Sequence, residues 1–403
     1  MALGFIFFNE GHNTMPPTKH PLSVAYVNSI DLPDNRRAHA MQMLKNGQAW
    51  SQCVEQFEFI TNVWWHNRNR LTVENMAAFY GLTHPFTLIP YPLRRLEQSQ
   101  YRWLRELYFQ LAAWRCKRKR VDLVYTRTYP LLAYTLKLGI PTVVETHSPP
   151  GRNEEADAML SLADHPNLVA LTTISEPLAE RYRAFGVPAD KIMVLPDGVD
   201  LERFEPALTL AEARQQLGLP LNQSIATYVG HLYEGRGIDT LLSAALKQPK
   251  VLFLIVGGYA KDMERWQHRA AQMGLENVRF EGFVANERVP LYLWAGDVLV
   301  MPYGNACTTT EWMSPLKLFE YMAAGRPIIA SDFPILREVL ENGKNGLLVP
   351  PDDGEALAAA MDALLADAPR RQALGAAALH QVRPYSWVNR VEQVINRFNR
   401  YGQ

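Results

Sequence analysis

Residues 313–332, MSPLKLFEYMAAGRPIIASD, constrain the fold more tightly than any other stretch. Ser314-Pro315 predicts a helix start: a hydroxyl N-cap, then a proline whose missing N–H costs nothing at the first helical position. Leu318, Phe319 and Met322 share an apolar face, and Lys317 and Glu320 are helical neighbours on the other. Gly325 ends the helix, Pro327 bars its return, and Ile328-Ile329-Ala330 reads as a short buried strand. A helix that begins this abruptly turns unpaired N–H groups and a partial positive charge outward, which makes its mouth an anion site. Glu320, about a turn and a half further on, can accept two hydrogen bonds from a diol. A phosphate at the mouth with a ribose beside it would use both features.

The same alternation of buried strand, small-residue loop and helix runs through the chain. Strands are expected at 23–27, 57–60, 86–89, 122–126, 141–145, 168–173 and 191–195. A second series falls at 224–229, 251–256, 278–280, 297–301, 328–330 and 346–349. Such alternation is that of an α/β protein with doubly wound sheets. At 403 residues the chain exceeds one ordinary core, so two Rossmann-like domains are expected. The proline, glycine and charge mix of PDGVDLERFEPALTL marks the crossing segment near 196–206. The expected division is a loose tail over 1–20, a first domain over 21–198 and a second over 199–385, followed by an amphipathic helix from Ser386. A ligand belongs in the cleft between the two sheets, at the carboxyl ends of their strands.

Several residues fall on that edge. His147 stands just past the strand 141–145, where a binding role and a structural one are equally open. In GHLYEGRG, Gly230 and Gly237 let backbone approach a ligand closely, and Arg236 offers a forked cation suited to a diphosphate. Gly257 opens another small turn after 251–256. The first loop lacks GxGxxG spacing, so it is no dinucleotide fingerprint. Its Asn35, Arg36 and Arg37 lie at a helix start, where they either meet an anionic acceptor or belong to a solvated loop.

Composition removes other classes. Lys+Arg and Asp+Glu are both 41, so no global field recruits nucleic acid. Three widely spaced cysteines, Cys53, Cys116 and Cys307, read as free thiols of a reducing compartment and not as a zinc site. The opening MALGFIFF is too short for a membrane span and lacks the basic flank of a signal peptide. A cytoplasmic or membrane-peripheral protein is expected. Residues 94–120 hold nine Lys/Arg against Glu97 and Glu106 in one long expected helix with an aromatic component. A stripe packed on its own sheet is the favoured reading; contact with an anionic membrane through 94–120 is the other.

Four ordered segments carry a resemblance: ISEPLAERYRAFGVPADKIMVLPDGVDLERF, YVGHLYEGRGIDTLL, VRFEGFVANERVPLYLWAGDVLVMP and SPLKLFEYMAAGRPIIASD. They resemble glycosyltransferase family 4, retaining nucleotide-sugar enzymes of GT-B fold. The resemblance implies two Rossmann-like domains facing across a cleft, with the terminal helix 386–403 packing back on the first. It implies a UDP- or GDP-type sugar donor as co-substrate, no metal, and a role in transfer to a glycan, lipid-linked or small acceptor, as in polysaccharide biosynthesis. Position by position, Glu320 matches the glutamate that binds the donor ribose, and Arg236 the cation that neutralises the diphosphate. His147 matches the histidine near the transferred sugar. Ser314, Pro315, Leu316, Lys317 and Leu318 match the backbone that cradles the diphosphate, and Gly282, Phe283 and Val284 fall where the base pocket is lined. Two positions depart from the pattern: Trp312 stands where the family's first motif glutamate would be, and His231 replaces the usual arginine of the glycine loop. A non-catalytic nucleotide-sugar-binding protein and a sugar-nucleotide epimerase of the same fold are the alternatives.

Overall fold

The computed structural model describes residues 19–33, 35–151 and 154–401. Seven strands, β1 His20–Asn28, β2 Val54–Asn62, β3 Thr87–Tyr91, β4 Leu123–Thr126, β5 Thr142–Thr146, β6 Leu168–Thr173 and β7 Ile192–Val194, form one parallel sheet in the order β3-β2-β1-β4-β5-β6-β7. Six more, β8 Ile225–Val229, β9 Leu252–Val256, β10 Val278–Gly282, β11 Val298–Met301, β12 Ile328–Ser331 and β13 Leu347–Val349, form the second, ordered β10-β9-β8-β11-β12-β13. In both, the order reverses beside the first strand of the sheet, which is where a doubly wound fold opens its ligand crevice. The strands of β4, β5, β6 and β8 are buried at every residue. Parallel strands need helices on both faces, so near-continuous apolar runs replace alternation.

The two sheets are joined through 195–209, and the last helix returns. Trp387–Tyr401 places Trp387, Val391, Val394 and Ile395 in the core of the first sheet. Arg390 on that helix donates to the Leu195 and Pro196 carbonyls, and Val199 bridges Ser386 beside it. The terminal helix therefore clamps the segment where the halves meet.

Three local expectations change. The helix after β11 runs Leu316–Ala323 with Pro315 at its N-cap and no side-chain cap bond. Ser314 does not cap it, because its hydroxyl accepts the Asp197 N–H at 2.9 Å from the other half of the molecule. The long helix expected over 93–120 divides into a 3-10 turn Arg94–Gln98 and a helix Arg102–Arg118. On that helix Tyr108, Phe109, Ala112, Ala113 and Cys116 are buried, whereas Trp103 and Trp114 are 63% and 57% exposed. The aromatic component thus does not pack as one stripe on the sheet. Of the tail expected over 1–20, residues 1–18 lie outside the described residues, and His20 already belongs to β1. Cys53, Cys116 and Cys307 are buried free thiols.

Candidate functional site

A cavity of about 400 Å³ opens between the carboxyl edges of the two sheets. From the second half it is lined by Gly230, His231, Arg236, Gly257, Phe283, Val284, Ser314, Pro315, Leu316, Lys317 and Glu320. Asn35, Arg36 and His147 line it from the first. Three sequence-picked residues lie elsewhere, and the first, Gly282 at the end of β10, is not among the lining residues. Leu318 is 1% exposed and packs in the core of the second half, so its side chain cannot reach a ligand. Arg37 lines an adjoining pocket with Arg36, His39, Arg94 and Tyr259.

Glycine makes the second-half wall possible. A Cβ on Gly257, which sits at φ 110°, would lie 2.3 Å from the Gly230 carbonyl oxygen, and one on Gly237 (φ 77°) only 1.5 Å from that of Pro302. The loops after β8, β9 and β11 close on one another only where side chains are absent. Arg236, one residue before Gly237, is thereby held with its guanidinium 5.1 Å from the Tyr303 ring centroid. Lys317 reaches the same place from the first turn of the Leu316–Ala323 helix. Its Nζ stands 4.4 Å from the ring centroids of both Tyr228 and Tyr303 and donates to the Tyr228 hydroxyl at 3.3 Å. Among the described residues neither cation is paired with a carboxylate. Burial drives Lys317 well below the usual ammonium range, and Arg236 adds to the effect. Two crowded cations beside uncapped helix N–H groups form a site that an anion would relieve.

Glu320, a turn further along, faces the cavity with 17% of its side chain exposed. Its Oε1 lies 3.5 Å from Arg203, which also donates to the Asn286 carbonyl. Burial raises the pKa of Glu320, while Arg203 and Lys45 oppose the rise. The first half contributes to this position through Lys45, which pairs with Asp200 at 2.5 Å.

The facing wall is built differently. His147 bonds through Nε2 to Glu145, and Glu145 is met by Arg390 at 3.0 Å, Arg127 at 3.8 Å and the Tyr125 hydroxyl. Burial alone would push Glu145 up, but Arg390, His147 and Arg127 outweigh it and hold the carboxyl well below its usual range. Burial, then Arg127, lowers His147 to about 4 against the pull of Glu145. His147 is therefore neutral near pH 7; with Glu145 ionised, its Nε2 carries the proton and Nδ1 remains an acceptor. Close by, Asp197 receives a hydrogen bond from Gln42 on Oδ2, while its buried Oδ1 has no partner. Burial raises Asp197 to about 7, opposed by Arg390.

The two departures from the expected pattern have visible consequences. Trp312 packs against the first half's apolar cluster, with Arg181 4.8 Å from its ring centroid and its carbonyl accepting the Ser175 hydroxyl at 2.8 Å. Glu311 turns to Arg181 at the surface and does not take the vacated glutamate position. His231 stacks on Tyr233 and Tyr259, with centroids 4.8 and 5.5 Å apart. Burial lowers its pKa, as do Arg236 and Lys317, so it adds no further positive charge to the crowded pair.

Sequence reading missed Asp197, Arg203, Gln42, Glu145 and Arg390. Asp197 and Arg203 sit in PDGVDLERF, whose proline, glycine and charge mix reads as a crossing segment. Arg390 was hidden on the polar side of an amphipathic helix, and nothing in its own neighbourhood signals a partner at Glu145.

Two parallel-sheet halves with a cleft at their carboxyl edges and a returning terminal helix define a GT-B protein. Residues 211–381 match the family model described as Glycosyl transferases group 1, and residues 66–203 that described as Glycosyltransferase Family 4. Together these regions take in most of the chain, which belongs to glycosyltransferase family 4. The D-inositol 3-phosphate glycosyltransferase of Stackebrandtia nassauensis is 30% identical over 237 residues, 56% of this chain and 51% of that protein. The chain spans about half the length of the curated relatives it matches. Among solved structures, Anabaena Alr3699/HepE in complex with UDP and glucose superposes with a TM-score of 0.70 at 16% identity, covering 94% of this chain and 99% of that one. Sucrose-phosphate synthase from Thermosynechococcus elongatus gives 0.68 at 21% identity, covering 94% and 98%.

Proposed function

We propose that this protein transfers a sugar from a nucleoside-diphosphate sugar to an acceptor with retention of configuration. The observation that carries the reading is the pair Arg236 and Lys317, unneutralised beside the open end of the Leu316–Ala323 helix. In this reading they hold the diphosphate, Glu320 takes the ribose hydroxyls, and Phe283 and Val284 flank the base. His147 orients the transferred sugar through its accepting Nδ1. The bond from the anomeric carbon to the diphosphate oxygen breaks while the acceptor oxygen bonds to that carbon on the same face. The acceptor proton passes to the departing diphosphate. Arg236, Lys317 and the helix N–H groups stabilise the charge that develops on the leaving group, so no metal is required.

The donor is of UDP or GDP type; the bound UDP in the Anabaena structure supports the former. Asn35, Arg36 and Arg37 receive the acceptor. The arginines of their pocket, with Arg94, favour an acceptor bearing an anionic group, while His39, lowered to about 4 by burial and by Arg127, Arg37 and Arg94, stays neutral near pH 7. The relatives named D-inositol 3-phosphate glycosyltransferases are consistent with a phosphate there.

Thermal stabilisation by UDP, GDP and their sugars, followed by assay of released nucleoside diphosphate with and without phosphorylated acceptors, tests the reading. Stabilisation by one nucleotide series and acceptor-dependent release are expected. Saturable binding with no release under any acceptor would instead favour a non-catalytic binding protein, the reading to which Trp312 lends support.

A further inference from the structure

The helix Arg102–Arg118 carries two opposed apolar stripes. Tyr108, Phe109, Ala112, Ala113 and Cys116 form the inner one, buried against the first sheet with β1, β2 and β4. The outer one is Trp103, Leu107, Leu111 and Trp114, spaced three or four residues apart and so aligned along one face. Three of these four are exposed: Trp103 63%, Leu111 37% and Trp114 57%. A surface helix ordinarily turns polar residues to solvent, and large exposed apolar patches mark interaction sites.

The charge around this outer stripe has one sign. Arg102 and Arg115 are neutralised by Glu106 and Glu58. Lys117, Arg118, Lys119 and Arg120 follow one another, all exposed, and among the described residues none of them is paired with a carboxylate. Arg118 lies 5.0 Å from the Trp114 ring centroid, which keeps a cation over the stripe. Arg120 holds φ 54°, the left-handed conformation that follows a helix end and ordinarily selects glycine. A cation is thus kept where backbone geometry favours another residue. At the other end Tyr101 is 56% exposed.

We infer that this face docks on an anionic lipid bilayer, the tryptophans entering the headgroup layer and the Lys117–Arg120 run meeting lipid phosphates. Tryptophan is favoured at that depth because its ring is apolar and its N–H remains wet, and each nearby cation gains from the negative surface potential. A second copy of the chain fits poorly, since the same cations would face one another. The inference does not depend on the transferase reading: the face lies outside the cleft and needs no sugar to bind. It would also place the Arg94 end of the cationic pocket near the membrane.

Flotation or sedimentation with vesicles containing about a third phosphatidylglycerol in phosphatidylcholine tests the inference on the full chain. Binding is expected to these vesicles, to vanish with phosphatidylcholine alone, and to weaken at high salt. Trp103→Ala with Trp114→Ala, and separately Lys117→Glu with Lys119→Glu, should each reduce binding by roughly tenfold or more. These positions are exposed, so the melting temperature should stay unchanged. Wild-type binding by the tryptophan variant, absence of binding at physiological salt, or a dimer in solution abolished by the same substitutions would overturn it.

Discussion

The two walls of the cleft hold similar residues in opposite states. On the first-half wall Glu145 is surrounded by Arg390, Arg127, His147 and Tyr125, and its charge is spent inside the protein. On the second-half wall Arg236 and Lys317 meet at the Tyr303 ring, and among the described residues neither pairs with a carboxylate. A charge already answered fixes geometry; a charge left unanswered recruits a ligand. The first wall is thereby braced by the terminal helix, whereas the second keeps Arg236 and Lys317 unpaired with any carboxylate among the described residues.

The contrast can be broken at several points. Arg390→Met should be the most damaging, because it leaves Glu145 buried without its nearest cation. A loss of about 3–5 kcal/mol in urea unfolding is expected, and a loss below 1 kcal/mol would mean the brace is ornamental. Arg236→Ala should act the other way, leaving folding nearly untouched but lowering turnover by roughly 10²–10³-fold. Wild-type rates there would remove the second wall from the chemistry. Glu320→Ala should cost about 10²-fold, with part of the loss in donor affinity; an intact donor KM and kcat would end its ribose role.

A further effect is in pH dependence. Asp197, raised to about 7, keeps a proton in the folded state that the unfolded chain sheds near its ordinary 3.8. Its contribution therefore declines as pH rises from about 4 to 7, by at most about 1.4 kcal/mol per pH unit. His147, lowered to about 4, acts oppositely: the unfolded ring takes a proton below about 6.5 first, so stability falls as pH drops towards 4. Asp197→Asn should remove the first slope and leave the second. Urea midpoints between pH 4 and 8 for the variant and wild type measure the difference; parallel curves would show that Asp197 does not titrate in this window.

What could be read from the chain follows from the range of the interactions involved. The thirteen strands were each anticipated near their positions because a buried parallel strand is written in its own apolar run. Gly230, Gly257 and Arg236 stand in loops at strand ends and Glu320 on the helix that opens at 316, positions that local spacing marks and the cavity lining brings together. Ser314 was misread because its hydroxyl has two acceptable uses, capping its own helix or meeting Asp197, and only the approach of the other half selects between them. The helix at 102–118 failed for a related reason: periodicity reveals two apolar stripes but not which one the sheet covers.

By itself, then, the sequence determined the strand–helix alternation and the abrupt helix at 316, since each depends on neighbours within a few residues. Tertiary structure alone decided that Arg390 neutralises Glu145, that Trp312 joins the far wall, and that Asp197 lies buried at the seam. Those outcomes depend on desolvation and on partners up to 245 positions apart, and neither is written in any local pattern.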